Sequence, residues 1–230
     1  MNTKIKKILS IFLILIFLIS STFSAFSYED DEVNDKETIS LIESLEVSSN
    51  TSNAPDVNST HIIAIDRNTE RILFEKSAFD KTPMASTTKI LTSIIAIERC
   101  NLNDEVSISS KAAHTSGSTL GITANTKMRM EDLLYGLMLR SGNDCAVAIA
   151  EHIGGTTDVF STIMNKKAKE LGLTSSNFVT PHGLDHNNHY TTAYELALLT
   201  NYALKNETFL KIVGTKQINI CNRYQKHFKY

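Results

Sequence analysis

The chain has 230 residues, with 23 Lys and Arg against 25 Asp and Glu, a formal net charge of −2 and no Trp. That balance offers no basic surface for a polyanion, which excludes nucleic-acid binding from the functions composition supports. Its three cysteines, Cys100, Cys145 and Cys221, are far apart and form no C-x-x-C pair, so they indicate no zinc cluster and read as small buried apolar residues.

Lys4, Lys6 and Lys7 precede an apolar run from Ile8 to Ile19, and small residues follow as far as Ser27. This is the pattern of a secretory signal peptide over residues 1–27, cleaved after Ser27, and it implies export to the cell envelope or beyond. The alternative is a retained anchor, but the run is shorter than the roughly 20 apolar residues that span a bilayer. Removing it takes away three lysines and no acid, leaving 20 basic and 25 acidic residues, net −5. Residues 28–57, rich in Asp, Glu, Ser and Asn, read as a flexible acidic leader in which Ile39 to Leu45 offers one weak amphipathic turn. Residues 58–230 then suffice for one domain with its own core.

Within that domain, His61-Ile62-Ile63-Ala64-Ile65 and Arg71-Ile72-Leu73-Phe74-Glu75 are β-type runs around a polar connection, which predicts a hairpin. Pro83 ends the next linker, and a helix is expected from Ser86 to about Arg99. Glu105 to Ile108 reads as extended. From Met130, the stripe Leu133, Leu134, Leu137 and Met138 predicts a helix that stops at Arg140-Ser141-Gly142-Asn143. Ser141 or Asn143 is expected to cap the next helix, from Asp144 to about Ile153. Thr157 to Leu171 is a third helix closed by Gly172, a fourth begins after Thr191 or Thr192, and a short fifth covers Asn206 to Val213. Two strands followed by helices indicate an α+β or mixed α/β domain.

Ser86 and Lys89 are three residues apart, and on a helix that spacing puts hydroxyl and amine on one face. A serine hydroxyl becomes nucleophilic when a base takes its proton, and a lysine serves as that base once burial lowers its pKa. Backbone N–H groups at a helix start also stabilise a developing oxyanion. The spacing alone describes an N-cap serine followed by a surface lysine equally well. Ser141-Gly142-Asn143 adds a hydroxyl and a carboxamide in a short turn, suited to a proton relay and to holding an amide.

Met84-Ala85-Ser86-Thr87-Thr88-Lys89 together with Ser141-Gly142-Asn143-Asp144 resembles the penicillin-binding, active-site-serine family. More narrowly it resembles the low-molecular-weight D-alanyl-D-alanine carboxypeptidases. Leu134 to Arg140 leading into Ser141, Asn177 to Asp185, His189-Tyr190-Thr191-Thr192-Ala193 and the hairpin Ile62 to Glu75 support that likeness, which covers about residues 55 to 215. It implies the fold of serine β-lactamases and penicillin-binding transpeptidases. It also implies Ser86 as nucleophile, Lys89 as base, Ser141 as relay and Asn143 as substrate-positioning residue. The substrate would be a peptidoglycan stem peptide ending in D-Ala-D-Ala, with β-lactams as covalent inhibitors and no metal or organic cofactor. His182, His186 and His189, flanked by Pro181 and Gly183, fit a loop better than a metal-binding helix.

The family's third motif, Lys-Thr-Gly on a strand beside the nucleophile, is not found before Tyr230; Gly214-Thr215-Lys216 has its letters reversed. The expectation is therefore a partial domain. It would keep the helical part and the N-terminal hairpin, lack the C-terminal strands of the sheet, and contact a membrane surface only through parts beyond it. The missing strand would carry a lysine for the substrate carboxylate and a second oxyanion N–H, a donor typically worth roughly 2.7–4 kcal/mol. A non-catalytic remnant or peptidoglycan-binding protein of the same fold is the alternative, and a β-lactamase or esterase a further one.

Overall fold

The computed structural model describes residues 56–184, 186–221 and 227–229. The expected signal peptide, the acidic leader up to residue 55 and its amphipathic turn lie outside these. Strands β1 (Ile62–Ile65) and β2 (Ile72–Lys76) pair antiparallel, as the two β-type runs predict. Their longer connection is organised by Asp66, whose Oδ1 accepts from the N–H groups of Asn68 and Thr69 and from the Thr69 hydroxyl. A carboxylate folded back on its own turn is what fixes such a loop.

The helices follow: α1 (Lys89–Arg99), α2 (Ser110–Ala113), α3 (Met130–Leu139), α4 (Asn143–Gly154), α5 (Thr157–Glu170), α6 (Ala193–Ala203) and α7 (Glu207–Val213). α1 is rich in isoleucine, a residue with no advantage in an isolated helix. It forms because it is central: Leu91, Ile94, Ile95 and Ala96 are all buried. Full burial contributes about 1.5–3 kcal/mol per large aliphatic side chain. α4 is buried from Asn143 to Ala150 and packs against α1, so these two helices form the middle of the domain. One core cluster joins α3 and α4 through Leu133, Leu134, Leu137, Val147 and Ile149; the other joins α1 to α5 and α6 through Ile94, Phe160, Met164 and Leu199.

Side-chain caps set several boundaries. Thr156 accepts from Val159 N–H, Thr192 from Glu195 N–H and Asn206 from Phe209 N–H. α4 departs from expectation, since neither Ser141 nor Asn143 caps it. Its cap position is Gly142, which has no side chain to accept from the first N–H groups. The carboxamide of Asn143 is engaged elsewhere, and Asp144 in the first turn supplies the negative charge that a helix start favours.

The sheet content also differs. A surviving hairpin alone was expected, but the described residues hold three separate two-stranded sheets. β3 (Glu105–Ser107) pairs with β4 (Lys127–Arg129), and β5 (Asn219–Cys221) with β6 (His227–Lys229). β4 is only three residues long and leads straight into α3, so no period-2 pattern announces it. Thr82 and Thr191 exchange backbone hydrogen bonds of 2.8 and 3.1 Å, tying the approach to Ser86 to the chain entering α6. Among the described residues no helix is long and apolar enough to cross a membrane.

Candidate active site

Ser86 lies in a 3-10 turn, Ala85–Thr88, immediately before α1. Ala85 there has φ +46°, a left-handed conformation that costs an L-residue about 1–2 kcal/mol and is retained where surrounding contacts impose it. The turn exposes Ser86 while Lys89, the first residue of α1, is 2 % exposed. Lys89 Nζ lies 3.0 Å from Ser86 Oγ and donates at 2.9 Å to the carbonyl of His182. Burial lowers the Lys89 pKa from 10.5 to about 8, against opposing contributions from Cys145 and Asp144. A surface lysine three residues past a cap would have kept its ordinary value. An exposed hydroxyl within hydrogen-bond reach of an amine that is partly neutral near pH 7 is competent for proton transfer.

Three contacts hold the segment 180–184 along this edge of α1. Thr92 donates its hydroxyl to Pro181 O at 2.6 Å, Lys89 reaches His182 O, and Gly183 lies against Ala85. His189 fastens the segment from behind. Its Nδ1 accepts from Val179 N–H at 2.9 Å, so Nε2 carries the ring proton and faces Thr88 Oγ1 at 2.8 Å. Thr88 passes its own hydroxyl hydrogen to Ala85 O at 2.8 Å. His182 is half-buried, with its pKa lowered to about 4 by burial and then by Lys89, so its ring is neutral near pH 7. Its Nδ1 accepts from Leu184 N–H, and His186 Nδ1 likewise accepts from Asn188 N–H. Among the described residues these three histidines do not gather as a ligand set.

The N-terminus of α4 comes up beside Lys89, which places Asp144 and Cys145 close enough to act on its charge. Ser141 has φ +55°, is half-buried, and makes no side-chain hydrogen bond among the described residues. Asn143 is buried, and its Nδ2 donates at 2.8 Å to Ser116 O. The site thus joins Ser86 directly to Lys89, while no hydrogen bond links either to Ser141 or Asn143 among the described residues.

Sequence reasoning singled out neither the anchoring role of Asp144 nor residues 116–122, which pack beside the site. The buried Asp144 carboxylate accepts from the N–H groups of Leu120, Gly121, Ile122 and Cys145 at 2.8–3.2 Å. It therefore anchors the 116–122 loop to the helix that carries Asn143. Gly117 allows that loop its close approach, since a Cβ there would lie 2.5 Å from Asn143 Nδ2. The run Thr115-Ser116-Gly117-Ser118-Thr119 is the signal that was present, a small-residue stretch that reads as an ordinary loop.

Fold and site together define a penicillin-binding, active-site-serine fold. The chain belongs to the peptidase S11 family of D-alanyl-D-alanine carboxypeptidases, whose family model matches residues 48–230. It is 33 % identical to D-alanyl-D-alanine carboxypeptidase DacF of Bacillus subtilis (strain 168) over 228 residues, covering 97 % of this chain and 54 % of that protein. Among solved structures it is similar to D-alanyl-D-alanine carboxypeptidase DacD from Francisella tularensis, with a TM-score of 0.71 and 33 % identity over 76 % of this chain and 44 % of that one. Penicillin binding protein 5 from Haemophilus influenzae matches at a TM-score of 0.69 and 29 % identity, over 76 % of this chain and 52 % of that one. The chain spans about half the length of the curated relatives it matches.

Proposed function

We propose that the protein is an exported serine-type D-Ala-D-Ala carboxypeptidase that trims peptidoglycan stem peptides through an acyl-enzyme on Ser86. The observation that carries this reading is the 3.0 Å approach of Lys89 Nζ to Ser86 Oγ, made by an amine whose pKa burial lowers to about 8. Neutral Lys89 takes the Ser86 proton as Oγ attacks the carbonyl carbon between the two D-alanines. The tetrahedral intermediate collapses, the C–N bond breaks, and the departing amine leaves as D-alanine with a proton returned through Lys89 and Ser141. Water then attacks the ester, gives up a proton to the same base, and releases the shortened peptide and free Ser86. Asn143 Oδ1 makes no hydrogen bond among the described residues and suits a substrate backbone N–H, while its Nδ2 is held by Ser116 O. A β-lactam, whose strained amide mimics the dipeptide end, acylates the same hydroxyl.

The test is covalent labelling of the purified chain with a fluorescent penicillin, compared with Ser86→Ala and Lys89→Ala. Labelling that disappears in both variants, with D-alanine released from a stem-peptide mimic, supports the proposal. A folded chain that takes no label overturns turnover by this polypeptide and favours a binding protein of the same fold. Hydrolysis of β-lactam without D-alanine release indicates a β-lactamase instead.

A further inference from the structure

α1 and α4 each carry a site residue at their first position, Lys89 and Asn143. At the opposite ends of the same two helices the fold assembles a second set of chemically active side chains. Cys100 follows the last residue of α1, Asp104 closes the next turn, and His152 lies in the last turn of α4. The Cys100 Sγ, an Asp104 carboxylate oxygen and a His152 ring nitrogen all lie within 4.8 Å of one another. α1 rises about 1.5 Å per residue, which puts this cluster roughly 15 Å from Lys89.

We propose that Cys100, Asp104 and His152 form a binding site for a divalent cation of the zinc class, clamping the far ends of α1 and α4. The donor set is one sulfur, one nitrogen and one oxygen, the mixture that suits a borderline-soft ion and not magnesium or calcium. Tetrahedral zinc with bonds of about 2.0–2.3 Å sets its donors roughly 3.3–3.8 Å apart, so the cluster needs only side-chain rotations to close. His152 Nε2 stands 4.0 Å from Asp104 Oδ2, beyond hydrogen-bond length, so this pair leaves room between its donor atoms.

The ligands are also well supported. Asp104 Oδ2 already accepts from Asn101 N–H at 3.0 Å, and Cys100 N–H is bonded to Ala96 O at 3.0 Å. Such outer bonds orient a metal ligand before the ion arrives. The His152 and Asp104 side chains are 31 % and 41 % exposed, which gives an ion its entry path and leaves the fourth position to water. Because both helices run from this cluster to the Ser86 site, a bound ion would fix their relative position. The proposal stands independently of the carboxypeptidase reading.

The experiment titrates the full, reduced chain with cobalt(II), which reports thiolate ligation by a near-ultraviolet charge-transfer band, and then displaces it with zinc. One cobalt per chain is expected, with the band kept in Cys221→Ser and lost in Cys100→Ser. Affinity should fall at least about tenfold in His152→Gln. Zinc should raise the Tm of the wild type but not of Cys100→Ser. His152 is exposed, so His152→Gln keeps the fold and decides the question if Cys100→Ser does not. No band in the wild type, or a band and affinity unchanged in His152→Gln, overturns the proposal.

Discussion

Gly183 lies so close to the Ser86 turn that a Cβ at this position would stand 1.8 Å from the carbonyl oxygen of Ala85. Its φ of +87° is also in the left-handed region. Both partners are backbone, so neither can turn aside. Gly183→Ala should therefore shift the 180–184 segment that accepts the Lys89 hydrogen bond, costing about 1–3 kcal/mol of stability and much of the acylation rate. Gly172→Ala is the control. Its φ is +77° with nothing within 4 Å of the added carbon, so it should cost about 1 kcal/mol and leave acylation unchanged. Urea unfolding and penicillin-labelling rates measure the two effects.

The buried amine predicts two pH profiles. On the proposed mechanism acylation uses neutral Lys89, so its rate should climb about tenfold per pH unit up to about pH 8 and level off above it. Stability should change in the next window. Folded Lys89 titrates at about 8 and the unfolded side chain at 10.5, so between these values the unfolded chain binds more protons and stability rises with pH. Below pH 8 no such slope from Lys89 remains. Measured from pH 7 to 10.5, the unfolding free energy of the wild type should rise relative to that of Lys89→Met only in that upper window.

Asp144 should matter more for stability than its place in the Ser141-Gly142-Asn143-Asp144 run suggests. Replacement by Ala strands the buried N–H groups of Leu120 and Ile122 and frees that of Gly121. Unsatisfied buried donors cost about 1–3 kcal/mol each, so Asp144→Ala should lose roughly 3 kcal/mol or more in denaturant unfolding. Acylation should slow as well, because the loop that holds Asn143 loses its anchor.

Thr88 lies between His189 and Ala85, receiving one hydrogen bond and donating another. Thr88→Val keeps the shape but removes both hydrogen bonds. The expected loss is about 1–3 kcal/mol, with slower labelling of Ser86. An unchanged labelling rate would separate this pair from the positioning of the site.

The parts of the site that were legible in the chain are those made by near neighbours in sequence, although Ser86 lies in a 3-10 turn ahead of α1 where a helix from Ser86 was expected. Ser86 and Lys89 meet because they are one turn apart, and the approach to Ser141 and Asn143 follows from a helix that stops and another that starts. The hairpin and the longer helices were legible for the same reason, since periodicity and caps such as Thr192 act locally. β4 and the role of Gly142 as the α4 cap were not, because three residues carry too little pattern and Asn143 was drawn away to Ser116.

By itself, then, the sequence determined the ordered motifs, the family they resemble and the local pairing of hydroxyl with amine. Only the tertiary structure decided that Lys89 is buried, and burial is what lowers its pKa into a useful range. It also decided every contact between residues distant along the chain: Gly183 on Ala85, His189 on Thr88, and Asp144 on residues 120–122. Cys100, Asp104 and His152 are the clearest case. Their spacing along the chain matches no metal-binding pattern, and they converge because α1 packs against α4 with their C-terminal ends together.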